Sequence, residues 1–283
     1  METFGDKLIQ IINSSRNQLF LQGEMAQLTY ISFEQMTTWV DNQKEDTIPI
    51  SYPIGYNPDK TTMMSQPHNY SKDELKERYA FLGLNKLPID AIYQLVTITE
   101  TMLNDLLRAI LIEFPKKIPN KRKLDIDQIL ACDNLDQIKL TIVDTILNEF
   151  AYKSPKEYAD EFSFYTGVKL LENPVFHQYI ELKATRDIHI HNKGVANEIY
   201  LNKAGVLARV KSGKYLPVTI QYFLEMYEQC LQLTEVLEKA LNDIWPSLVY
   251  KNKKQLSIQE DQQEAVEQTI YEVKSETEEK NSP

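Results

Sequence analysis

Cysteine and glycine are scarce in this chain of 283 residues, and basic residues are outnumbered by acidic ones. The two cysteines, Cys132 and Cys230, stand apart in apolar periodic segments, with no Cys-x-x-Cys or His-rich context around either. That excludes a disulfide-stapled scaffold and a zinc finger, and predicts both as reduced core residues. Eight glycines with no Gly-rich spacing leave no segment for a phosphate-cradling loop. A net charge of -10 argues against a protein that coats nucleic acid through overall basicity, so any such contact has to use a local patch. No run approaches the roughly 20 apolar residues of a membrane span. The opening stretch METFGDKLIQIINSSRNQ lacks the basic and apolar blocks of a secretory signal. A cytoplasmic protein without membrane contact is expected.

What the chain does have is helical periodicity. Phe4, Leu8, Ile11 and Ile12, then Met25, Leu28, Phe33, Met36 and Val40, recur at helix spacing. Between Asp41 and Tyr70 the prolines Pro49, Pro53, Pro58 and Pro67 interleave with Tyr52 and Tyr56, which predicts an extended connector. Residues 1–70 are therefore read as an N-terminal helical appendage with its connector, and 71–250 as the main helical domain.

Within that domain Ser71-Lys72-Asp73-Glu74 is a capping box for a short helix ending near Gly83. Residues 87–114 form the longest amphipathic segment, and another covers 135–150. Ser154-Pro155-Lys156-Glu157 caps a further helix, and helices over 176–191 and 219–245 follow. Residues 206–210 and 215–218 flank Lys211-Ser212-Gly213-Lys214 as a small β-hairpin. Residues 251–283 are read as an acidic disordered tail, since 255–283 carry eight acidic and two basic residues. The predicted class is all-α, a helical bundle with a small β-hairpin, an N-terminal appendage and that tail.

Chemistry concentrates in Lys183-Ala184-Thr185-Arg186-Asp187-Ile188-His189-Ile190-His191-Asn192-Lys193-Gly194, which holds two of the four histidines. At 100° per residue His191 falls about 20° from Ile180, on the apolar stripe with Phe176 and Ala184, and Arg186 falls about 20° from Tyr179. Such a histidine is either a satisfied core residue or a functional group, and spacing alone favours the core. A metal reading is weaker, because two residues along a helix diverge by about 160° and no third ligand is offered. No metal and no cofactor are expected.

Arg186-Asp187-Ile188-His189-Ile190-His191 resembles the Arg-x(4-6)-His signature of HEPN domains, including the polar residue after the arginine and the asparagine after the histidine. ELKATRDIHIHNKGVANEIYLNKAG, ARVKSGKYLPVTIQYF and YKSPKEYADEFSFYTGVKLL are similar to the RiboL-PSP type of that family, over roughly residues 87–245. The resemblance implies a HEPN-type bundle that dimerises through its motif helices, and a metal-independent endoribonuclease. His191 would be base or acid, Arg186 the phosphate clamp, and Asp187 would orient one of them. His189 and Asn192 would be auxiliary, with His189 open to two readings, second proton carrier or packed structural residue. The products would be a 2′,3′-cyclic phosphate and a 5′-hydroxyl.

The chemistry suits those side chains. RNA carries its own nucleophile in the 2′-hydroxyl, imidazole as a side-chain type moves protons near neutral pH, and a guanidinium grips a phosphate through two donors. On a straight helix Arg186 and His191 diverge by about 140°, so the expected site pairs one subunit's arginine with the other's histidine. The resemblance also implies a toxin or antiviral defence role, with an antitoxin or regulatory protein as partner. Where toxins of this family carry a tyrosine modified by a nucleotidyltransferase antitoxin, this chain has Lys193, so that mode of control is not expected. The alternative is a non-catalytic HEPN interaction module.

RNA would bind a local patch. Lys183, Arg186, Lys193, Lys203, Arg209, Lys211 and Lys214 face only Asp187 and Glu198 between residues 183 and 214. Phosphate contacts dominate nucleic-acid affinity, so such a patch is what the reading needs. A basic loop with Lys116, Lys117, Lys121, Arg122 and Lys123 is a second candidate contact.

Overall fold

The computed structural model describes residues 2–120, 124–150 and 152–252. Within them the order is α1 (Phe4–Asp41), β1 (Thr47–Tyr56), β2 (Met63–Ser71), α2 (Lys72–Phe81), α3 (Leu87–Glu113), α4 (Ile126–Leu130), α5 (Leu135–Phe150), α6 (Pro155–Thr166), α7 (Pro174–His191), α8 (Glu198–Ala204) and α9 (Ile220–Ile244). The chain is mostly helical, with one small antiparallel sheet of two strands among the described residues.

α3 is the hub. Leu95, Val96, Met102, Leu103, Leu106, Leu107, Ile110 and Leu111 are all buried, a spread wider than one stripe, so the helix is covered from several sides. It packs against α1, α5, α6, α7 and α9, while α9 also packs against α1 and α7. One continuous core results, with Leu8, Ile9, Ile12 and Leu19 from α1 beside Phe162 from α6, Phe176 from α7 and Leu237 from α9. Each such side chain contributes about 1.5–3 kcal/mol by leaving water. Among the described residues, no helix is long and apolar enough to cross a membrane.

Several expectations change. The two periodic stretches form one helix, Phe4–Asp41, and its N-terminal half lies in the main core, so the boundary near residue 70 does not mark off a separately packed appendage. Two buried contacts explain why α1 belongs there: Arg16 pairs with Glu238 of α9, and its Nε donates to Thr234 Oγ1 at 3.0 Å. The Pro/Tyr segment is a β-hairpin rather than an unpaired connector. Among the described residues each strand has only one neighbour, which leaves room for Pro49, Pro53 and Pro67, and the register shifts between Pro53 and Gly55.

The expected hairpin near residue 211 does not form. Residues 205–207 make a 3-10 turn, and the later part of the loop pairs instead with the segment leaving α7, where Leu216 N donates to Gly194 O at 2.7 Å and Ala196 N to Lys214 O at 2.9 Å. Gly83 does not end a helix; the backbone passes through a π-helical turn, Leu82–Lys86, straight into α3. Cys230 is buried, with its thiol pushed up to about 12 by burial, whereas Cys132 is only partly buried, in the turn between α4 and α5. The acidic tail beyond residue 252 and Lys121, Arg122 and Lys123 lie outside the described residues.

Candidate active site

α7 begins where the chain provides for a beginning. Asn173 Oδ1 accepts from Val175 N at 2.9 Å and Pro174 occupies the first turn, a cap of about 1 kcal/mol. It ends at Asn192, Lys193 and Gly194, where the N–H groups of Asn192 and Gly194 both reach Ile188 O, at 2.9 and 3.1 Å. Gly194 has φ +77°, and a Cβ there would stand 2.5 Å from the Tyr215 ring, so a larger residue would displace the loop that closes the helix. Between these ends Phe176, Tyr179, Ile180, Lys183, Arg186, Asp187 and His191 share one broad face.

The C-terminal part of that face is an ion network. Glu100 of α3 pairs with Lys183 and accepts from Arg186 at 3.0 Å. Asp187 lies 3.3 Å from Arg186 Nε, outside hydrogen-bond geometry, and 3.1 Å from Lys203 of α8. Three cations thus share two carboxylates, leaving a net positive cluster in which Arg186 keeps a buried, unbonded N–H. Glu100 stands between two cations, where the oxygens of a phosphate would also be favoured.

These groups open onto a cavity of about 760 Å³ between α3, α6, α7 and α8. Lys183, Arg186, Asp187, His191 and Lys203 all line it. The divergence of about 140° between Arg186 and His191 therefore does not put them on separate surfaces of one chain, because the cavity wraps around the face they share. His191, expected on the apolar stripe, is exposed at the last turn of α7.

His189 points elsewhere. Its Nε2 is 2.9 Å from Leu216 O, and since a carbonyl only accepts, the ring donates there; its edge meets Tyr215 at 5.8 Å. Burial pushes its pKa down. Of the two readings, the contacts are those of a packed residue. Asn192 caps the helix and its Nδ2 bonds Val195 O.

Arg209 requires a correction. Rather than offering a free cation to RNA, it is drawn inward: Nε donates to Glu181 at 3.1 Å, a terminal nitrogen to Thr185 Oγ1 at 3.1 Å, another to Pro217 O at 2.7 Å, and the guanidinium lies 3.6 Å over the Tyr222 ring. The cause is Glu181, buried in α7, which also accepts from Thr185, Tyr200 and Tyr222 at 2.8, 2.9 and 2.6 Å. A buried carboxylate needs a counter-charge, and pulling Arg209 in turns the loop away from a hairpin. Burial, with Glu181 nearby, pushes Tyr200 up to about 12 and also pushes Tyr222 well up. Lys193, Lys211 and Lys214 are exposed, and none of them lines the cavity.

Sequence reasoning missed Glu100, Tyr158 and Tyr179, which also line the cavity. Tyr179 was within reach, one turn before Lys183 on the same face; Glu100 was not, because its partners come from another helix. Among the described residues no group of three or more His, Cys, Asp and Glu side chains gathers as a metal site requires. Compared with models of known families, with curated proteins and with solved structures, the chain finds no match.

Proposed function

We propose that this protein is a metal-independent endoribonuclease of HEPN type. The observation that carries the reading is the meeting of Arg186, Asp187 and His191 with Lys183 and Lys203 on one open cavity. RNA enters with a backbone phosphate replacing Glu100 between Lys183 and Arg186. The ribose 2′-oxygen attacks the adjacent phosphorus, and His191 takes its proton as the new P–O bond forms. Charge growing on the non-bridging oxygens is met by Arg186, with Lys183 and Lys203 around it. The bond to the 5′-oxygen breaks, that oxygen takes a proton, and the products are a 2′,3′-cyclic phosphate and a 5′-hydroxyl. A homodimer through α7 belongs to the proposal, since its second imidazole would be the acid for the leaving oxygen. So do a cytoplasmic toxin or defence role and a regulatory partner, which rest on the motif resemblance.

A second reading, a non-catalytic interaction module, is favoured by one observation: the guanidinium of Arg186 is already engaged by Glu100 and Asp187. Purified protein incubated with mixed RNA in EDTA separates the two. The enzyme cleaves, and Arg186→Ala and His191→Ala each lose about 10²-fold or more while remaining folded. Absence of cleavage by the unmodified protein between pH 6 and 8 leaves the module.

A further inference from the structure

α1 outruns the core. Leu8, Ile9, Ile12 and Leu19 are buried, but between Leu19 and Asp41 the helix buries only Gln22, Ala26 and Val40. Another side of this distal half carries a line of exposed side chains, Leu21, Met25, Leu28, Ser32, Gln35 and Trp39. They are spaced 4, 3, 4, 3 and 4 residues apart, the alternation found along the seam between two long helices. At 100° per residue they fall within about 80° of one another, over about 27 Å of helix. Phe20, Ile31 and Met36 flank the line and are exposed as well. Single apolar residues on a surface are ordinary, whereas a line of them at one period is not. The seven apolar side chains, each 36–63% exposed, present on the order of 700 Å², near the roughly 800 Å² per partner of a stable interface.

We propose that this line is a self-association surface, on which α1 of a second copy of the chain lies antiparallel about a two-fold axis at the level of Tyr30. The proposal does not rest on the ribonuclease reading, since none of these residues lines the cavity. The spacing is the same read in either direction. Turning one helix end for end therefore sets Leu21 against Trp39, Met25 against Gln35 and Leu28 against Ser32, and repeats the three layers on the other side of the axis. Trp39 meets a smaller leucine and Leu28 meets a small serine, whereas a parallel pair would set Trp39 on Trp39. Drying the seam leaves the hydroxyls of Ser32 and Thr29 satisfied, because they already donate to Leu28 O at 2.8 Å and Met25 O at 2.7 Å. Charge does not oppose the pairing. Glu24 is the one charged residue within about 60° of the line's centre, and it lies level with the second copy's Thr38 rather than with another carboxylate. A lipid surface fits less well, because no lysine or arginine occurs between residues 17 and 43 to meet anionic headgroups.

Mass and register test the pairing. In sedimentation velocity at micromolar concentration the full chain should associate. Leu28→Glu, which sets a carboxylate against Ser32 in two layers, should weaken that association about 100-fold or more and halve the mass. Where chains also pair through α7, the halving runs from four chains to two; otherwise it runs from two to one. Leu28 is exposed, so the variant should keep its helical circular dichroism. Register is read by oxidation in a Cys132→Ser background. Leu28→Cys and Ser32→Cys chains should cross-link to each other when mixed, and neither should cross-link alone. A monomeric unmodified protein, or a mass unmoved by Leu28→Glu, would overturn the proposal. Cross-linking of each variant with itself would overturn the antiparallel arrangement. Binding to phosphatidylcholine vesicles that Leu28→Glu abolishes, with no change in mass, would assign the surface to lipid instead.

Discussion

At the scale of single residues, the most instructive side chain is Arg209. In sequence it is one of seven cations in a short basic stretch, indistinguishable from Lys211 and Lys214. In the fold it neutralises Glu181, which is buried at 2% exposure in the middle of α7. Removing a partner from a buried ion pair costs more than the pair contributes, because the remaining charge is stranded. Arg209 is itself partly exposed, and three hydroxyls still serve Glu181, so the penalty is moderated. Arg209→Ala should lower stability by about 2–3 kcal/mol in urea unfolding, whereas Lys211→Ala should change it by less than about 0.5 kcal/mol. Equal effects would place Arg209 on the surface with the lysines.

At the scale of elements, the contrast lies between α7 and the β-hairpin. α7 is capped at both ends and buried along much of its length, with Phe176, Leu182, Ala184 and Ile188 all nearly inaccessible. That rigidity is what holds Lys183, Arg186 and His191 at fixed positions on the cavity wall. The hairpin buries only Ile48 among its strand residues, and joins a small cluster with Val40 and Leu75. Local opening free energy follows buried apolar contact, so the hairpin should open far more readily than the core. In hydrogen exchange followed by mass spectrometry, amides of β1 and β2 should exchange at least about 100-fold faster than those of α3. Comparable protection would mean that the hairpin is stabilised by something other than these contacts.

At the scale of the whole molecule, the two ends of the described chain are clasped together. Asp6, in the first turn of α1, accepts from Ser247 Oγ at 2.6 Å and from the N–H groups of Leu248 and Val249 at 2.8 and 3.1 Å, and also caps its own helix through Thr3 N. These donors, Ser247 first, hold its carboxyl far below the ordinary aspartate value. The folded state therefore binds fewer protons than the unfolded one, and the contribution of Asp6 is complete above the unfolded pKa of about 3.9 and fades as pH falls further. Asp6→Asn should reduce the melting temperature at pH 7, and the gap to the unmodified protein should narrow only below about pH 4. A gap that is constant down to pH 3 would assign the effect to packing instead.

The overall charge also reads differently at this scale. The net -10 is an average over unlike segments, and the cavity wall gathers Lys183, Arg186 and Lys203 around two carboxylates. Any nucleic-acid contact there should be confined and sensitive to salt.

Much of the local structure is settled between neighbouring residues and was legible along the chain. The capping boxes at Ser71 and Ser154, the helix over 87–113, the closure of α7 at Gly194 and the placing of Arg186 and His191 on its last two turns follow from interactions three or four residues apart. Contacts across elements came into view only in the packed fold. Glu100 reaches Lys183 and Arg186 from α3, Arg209 turns inward to Glu181, the Pro/Tyr segment pairs with itself, and the first half of α1 enters the core. The physical reason is the same in each case. A buried charge or an unpaired backbone takes whichever partner the packing brings within about 3 Å, and that register is set by the sum of all the helix contacts rather than by any local stretch of chain.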